Sequence, residues 1–142
     1  MGLIEERHPA FKRLIGLWRD AQEDELPPRA GALGREALGD LAGLTVVLAH
    51  GEGRDLVIAE SGAMVDALYG EPLAGREVGL LSAARGDAGA EAQSAVASGR
   101  PVLIEDEMPG APGRRRIARL YLPLSNDDGS RDGVLCGIVA TA

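Results

Sequence analysis

The chain reads as an α+β domain: a five-stranded antiparallel sheet with helices gathered on one face and an N-terminal amphipathic helix on the other. Three observations carry that reading. Apolar residues recur at helical spacing up to Gly43 and at strand spacing from Leu44 onward. Two strand-like runs precede a helical stretch and three follow it, the order of two hairpins flanking a helical insertion. The last run carries Val134, Cys136 and Ile138 on one side and Leu135 and Val139 on the other, so it needs cover on both faces.

Phe11, Leu14, Ile15 and Trp18 fall at i, i+3, i+4 and i+7, with Lys12, Arg13 and Arg19 opposite and Pro9 suited to the first turn. Acidic residues from Asp20 to Glu25 oppose the helix dipole, and Pro27-Pro28 stops the helix. A short second helix is predicted over Leu33 to Leu41, ended by Gly43. Thr45 to His50 and Asp55 to Glu60 form the first hairpin around Gly51-Glu52-Gly53. Helical segments follow at Gly62 to Tyr69, near Leu80 and at Asp87 to Ser98, the last closed by Gly99 and Pro101. The remaining strands are Pro101 to Glu107, Arg115 to Leu124 and Gly133 to Thr141, joined by turns at Met108–Gly113 and Asn126–Gly129. This organisation divides the chain into an N-terminal helical segment, residues 1–43, and a core, residues 44–142.

With 142 residues the chain can form one domain that buries roughly 70% of its unfolded surface. Its 22 acidic and 15 basic residues give a net charge of −7, which repels phosphate backbones and anionic lipid and argues against nucleic acid or membrane partners. No 18-residue apolar run and no basic–apolar–small leader are present, so a cytoplasmic location is expected. Cys136 is the single cysteine, which excludes an internal disulfide and fits a reducing compartment. Only Phe11, Trp18, Tyr69 and Tyr121 are aromatic, so an interior pocket would be lined chiefly by aliphatic side chains.

The local wording adds to this. Leu17-Trp18-Arg19, Leu26-Pro27-Pro28-Arg29, Gly62 leading to Leu68-Tyr69-Gly70, Leu73-x-Gly75-Arg76, Gly99-Arg100-Pro101-Val102 and Leu122-Pro123-Leu124 occur in that order. Together they resemble the PAS domain, and in particular are similar to short PAS-like proteins of alphaproteobacteria with a Trp-containing first helix and a Pro-Pro-Arg step. The likeness runs from about Ile15 to the chain end. It departs from that pattern at Gly34-Arg35, where Asp-Pro is usual, and at Ala63, where Thr is usual. The resemblance implies a sensor or adaptor with a small pocket between sheet and helices, often dimeric.

Candidate chemistry thins out on inspection. The helix Asp87–Ser98 has no His, Cys, Met or Tyr to ligate haem, and His8 and His50 read as solvated loop residues. Cys136 lies in the last strand, not on a helix facing a flavin, and reads as a buried inert thiol. Ser61 lacks a nucleophile elbow, Gly51-x-Gly53 joins two strands, and around Asn126–Gly129 Leu124 and Leu135 stand where a calcium loop needs its first and last carboxylates. Arg114-Arg115-Arg116 reads as a solvated hairpin start. No catalytic group, metal ligand or cofactor is therefore expected.

A ligand pocket is predicted from Ile58, Met64, Leu68, Val96, Ile104, Leu120 and Leu122, with Arg119 on the far face of its strand and tolerant of replacement. Counting by twos from Leu56 and Ile58 adds Glu60 to that pocket, whereas a strand ending at Ala59 releases Glu60 to solvent, the favoured alternative. The N-terminal helix, through Phe11, Leu14, Ile15 and Trp18, is expected to cap the outer face and to form part of a homodimer contact. Three functions are compatible with this reading. One is a non-enzymatic sensory or regulatory module that takes a small apolar or amphipathic ligand. Another is a ligand-free adaptor for proteins. The third, ranked last, is an enzyme using Asp66, Tyr69 or His50. The chain ends within two residues of its last strand, so either the output is expected to pass through a separate signalling partner or the chain is a piece of a longer protein.

Overall fold

The computed structural model describes residues 8–22, 26–50, 56–82, 87–107, 116–125 and 131–141. The turns read at 51–53, 108–113 and 126–129, and Arg114-Arg115, lie outside these residues. In chain order the helices are α1 (Pro9–Ala21), α2 (Arg35–Leu38), α3 (Ala63–Tyr69) and α4 (Ala88–Ser98), with 3₁₀ turns at Ala30–Leu33, Gly39–Leu44 and Val78–Leu81. The strands are β1 (Thr45–His50), β2 (Leu56–Ser61), β3 (Val102–Glu107), β4 (Arg116–Ser125) and β5 (Arg131–Thr141). They form one antiparallel sheet in the order β2-β1-β5-β4-β3, which puts the doubly apolar β5 at the centre.

Pro9 opens α1 within its first turn, and the carbonyl of His8 accepts from the backbone N–H groups of Phe11 and Lys12 at 2.9 and 3.1 Å. His8 is 5% exposed and its ring lies tilted against the Phe11 ring with centroids 5.2 Å apart, a correction to its reading as a solvated loop residue. The second helical region is broken earlier than its spacing suggests. Gly39 takes φ +56°, and the chain continues as a 3₁₀ turn rather than as one helix to Gly43. Asp87 caps α4 by accepting from the Ala90 N–H at 3.2 Å, and Gly99 ends it in the left-handed region at φ +67°.

The sheet divides two apolar cores. On the inner face α3, α4 and the Val78–Leu81 turn cover Val46, Leu48, Leu56, Ile58, Ile117, Tyr121, Val134, Cys136 and Ile138. On the outer face α1 and the 30–44 segment cover Ala118, Leu120, Leu122, Leu124 and Leu135. Gly137 allows the closest approach there: a Cβ on it would stand 2.6 Å from Leu14 Cδ1 and 3.1 Å from Phe11 Cε1. Trp18 anchors the other end of α1, donating from Nε1 to the Pro123 carbonyl at 2.8 Å. The Pro27-Pro28 step runs alongside β4, where the Ser125 N–H donates to the Pro28 carbonyl at 2.8 Å and its hydroxyl donates to the Pro27 carbonyl.

One sequence expectation fails here for an identifiable reason. Leu120 and Leu122 face outward against α1, not inward with Ile58, because the outer face is roofed as completely as the inner one. The leucine stripe of β4 therefore had two apolar destinations, and period-2 spacing does not choose between them. Glu60 is exposed, as the favoured alternative expected, although the strand runs on to Ser61 rather than ending at Ala59. Val47 pairs with Glu60 and Leu48 with Ile58, so Ala59 is an extra bulged residue and the parity counted from Leu56 breaks before Glu60.

Candidate functional site

The most distinctive group of the inner face is charged. Alternation along β4 sends Ile117, Arg119 and Tyr121 toward the helices. Arg119 is 0% exposed. From α4, Glu91 lies on the same helical face as Ala88, Ala92 and Ala95, three small residues that let the helix sit close to the sheet. Glu91 Oε1 accepts from Arg119 Nη2 at 2.8 Å and Nε at 3.1 Å, and Oε2 accepts from Nη2 at 3.1 Å. The Tyr121 hydroxyl donates to Glu91 Oε1 at 2.6 Å and accepts from Arg119 Nε at 2.9 Å. Arg119 Nη1 is buried without a hydrogen-bond partner among the described residues.

This triad polarises its surroundings. Burial alone would lower the Arg119 pKa, but Tyr121 and Glu91 more than offset that and hold the guanidinium above its ordinary value. Burial pushes the Tyr121 hydroxyl up, reinforced by Cys136 and Glu91 and opposed by Arg119. The Cys136 thiol is likewise raised, first by burial, and it is fully buried against the strand. Tyr69 is raised by burial and donates to the Leu81 carbonyl at 3.0 Å.

Of the pocket residues read from the sequence, Ile58 is buried in the inner core, with Leu68, Val96 and Ile104 packed against it. Met64 is 63% exposed on the solvent side of α3. This is a correction: α3 turns Val65 inward, so the neighbouring position faces out. Glu60 is exposed and, with Arg35 and Thr45, lines a recess of about 30 Å³ against the outer segment. Phe11, Leu14, Ile15 and Trp18 are all buried on the chain's own sheet and present no free surface. Arg119, expected to be dispensable, is the group the sequence reading missed. Its signal was a glutamate on the otherwise small, apolar face of α4.

Asp66, Tyr69 and His50 do not converge into acid–base machinery. Asp66 Oδ1 accepts from the Leu73 N–H at 3.1 Å, Tyr69 is spent on Leu81, and His50 is exposed at the end of β1. A separate open cleft of about 180 Å³ lies between the Val78–Leu81 turn and α4, with Leu56 and Val78 as apolar lining and Glu77 and Gln93 as polar groups. Among the described residues no helix is long and apolar enough to cross a membrane.

No protein-family model and no curated protein matches the chain. Solved structures do. A light-oxygen-voltage (LOV) domain studied with a flavin analogue superposes with a TM-score of 0.56 at 15% identity, over 75% of this chain and 83% of that one. A fungal LOV domain photoreceptor gives 0.55 at 14% identity, over 99% and 100%. An RNA-binding LOV receptor gives 0.53 at 22% identity, over 80% of this chain and 35% of that one.

The first of these is described with a flavin analogue, and the inner face of this chain is crossed by its own side chains. Arg119 and Tyr121 reach across to Glu91 through the space between sheet and α4, and the single cysteine is on β5 rather than on a helix. LOV domains are a subfamily of the PAS fold, and the five-stranded sheet, its strand order and the helices between β2 and β3 give this chain the PAS fold.

Proposed function

We propose that the chain is a non-enzymatic signalling module that works through protein contacts, with a built-in ionic core where related sensors hold a ligand. The Arg119–Glu91–Tyr121 triad carries this reading. It spans the space between β4 and α4 with the chain's own side chains, and it ties the position of that helix to the sheet. A buried pair of this kind resists displacement, because removing one partner strands the other charge. Net charge of −7 weighs against RNA as the partner and leaves a protein as the better candidate.

Native mass spectrometry of the protein purified from its own host tests this. The expected result is the mass of the polypeptide, or a multiple of it, with no retained small molecule and no absorbance near the haem or flavin bands. A stoichiometric adduct would overturn the reading. The cleft of about 180 Å³ beside Leu56 and Val78 supports a second reading, a small amphipathic ligand with a donor group facing Glu77. An adduct lost on Val78→Arg would locate a ligand there.

A further inference from the structure

A small recess opens on the outer face, where the 33–42 segment passes the end of β2. Its volume is about 30 Å³. The bulge at Ala59 builds one wall: it sets Glu60 opposite Val47, whose side chain packs with the outer core, so the carboxylate stands on that face. Arg35 stands on the other side, and Leu33, Leu38 and Val47 give an apolar floor.

The polar groups around this recess are of opposite sign and unspent. Arg35 and Glu60 are both exposed, and among the described residues neither side chain makes a hydrogen bond or ion pair, with the other or with a third group. Thr45 is 5% exposed and donates its hydroxyl proton to the Ala42 carbonyl at 3.0 Å, so what it still offers is a lone pair. The recess thus has a donor fork on one side and two acceptors on the other. Its frame is fixed. The Gly62 N–H donates to the Thr45 carbonyl at 2.8 Å, and Gly62 lies too close to the Ala42 and Gly43 carbonyls for any Cβ to fit.

We propose that this recess binds a small free α-amino acid, its carboxylate on the Arg35 guanidinium and its ammonium between Glu60 and Thr45. A ligand with one charge leaves one wall unpaired, whereas a zwitterion satisfies both. Size narrows the class further. One water needs at least ~10–15 Å³ of such space, so the recess admits about two or three ligand atoms. That is the compact charged head of glycine or alanine, with the rest of the ligand at the mouth. The ligand joins the outer segment to the end of β2, a link that the chain's own side chains leave unmade. Contacts this few give a dissociation constant on the order of millimolar. Such a ligand exchanges freely, so a purified polypeptide of bare mass is compatible with it.

Titration of the isotope-labelled full chain with alanine, up to about 50 mM to exceed that millimolar scale, tests this by NMR. Saturable amide shifts are expected at Arg35, Glu60 and Gly62. Acetate and methylamine, each with one of the two charges, bind about tenfold or more weakly at matched ionic strength, the scale of one charge-assisted contact. Arg35→Gln and Glu60→Gln each weaken alanine binding by a similar factor, while Arg100→Gln, outside the recess, leaves it unchanged. Arg35 and Glu60 are exposed, so their replacement leaves the fold intact, and amide shifts away from the recess report that directly. No saturable shift, acetate binding as tightly as alanine, or alanine binding that survives both Gln replacements overturns the proposal. Direct pairing of Arg35 with Glu60 in solution would give the first of these results.

Discussion

At the scale of single residues, Arg119 shows how a charge can belong in a core. Its guanidinium is stabilised only because Glu91 and Tyr121 meet it with four contacts of 3.1 Å or less. Glu91→Ala should therefore cost about 3–5 kcal/mol, since it leaves an uncompensated buried cation. The double replacement Glu91→Met with Arg119→Met should cost much less than the sum of the two single changes. Urea denaturation of the four proteins measures that coupling, and additive costs would remove the triad from the account. The raised pKa values make a second prediction. Cys136, Tyr69 and Tyr121 lose their protons later in the native state than at their ordinary values of 9.0 and 10.0. Above about pH 9 the folded chain then binds more protons than the unfolded one, so stability is complete below that pH and falls as pH rises. A urea midpoint that stays level or increases between pH 8 and roughly pH 10.5 contradicts this.

At the scale of elements, close approach is set by glycine. Gly137→Ala would drive a methyl group into Leu14 and Phe11, and the Leu14 side chain or α1 itself must give way to admit it. Gly62 is tighter still: its Cβ would lie 2.3 Å from the carbonyl oxygens of both Ala42 and Gly43, which are backbone and cannot rotate away. We expect Gly62→Ala to be the more destabilising of the two, and only Gly137→Ala to be partly rescued by Leu14→Ala. Equal rescue by that change would show that the α1 contact is not specific. On the same outer face Leu120→Ala should cost about 2–5 kcal/mol, a full core leucine, although the residue lines no ligand space.

At the scale of the whole molecule, the N-terminal segment is half of a second core rather than an appendage. Without α1, the apolar side chains of Leu120, Leu122, Leu124 and Leu135 lose much of their cover. A chain beginning at Leu26 is expected to be aggregated or partly unfolded, as judged by sedimentation and far-UV circular dichroism. A soluble, folded product would show that α1 is not a required layer. The exposed Arg13–Asp40 pair, with contacts of 2.7 and 3.0 Å, also bridges α1 to the following segment. Such surface pairs contribute little, so high salt should leave stability nearly unchanged.

Element order, the doubly apolar β5 and the stop at Gly99 were legible in the amino-acid sequence, because each depends on local spacing or on one residue's backbone freedom. Facing was not. The β4 stripe of leucines and its partner stripe of Arg119 and Tyr121 are equally periodic, and only the placement of Glu91 across the inner face decided which lay inside. The bulge at Ala59 was invisible for a similar reason: it exists in the pairing of β2 with β1, not in either strand alone. The sequence by itself determined which residues form strands and helices and that both faces of the sheet are covered. Tertiary structure alone decided which face each stripe meets, since a period of two defines two sides and only the partner packed against each side distinguishes them.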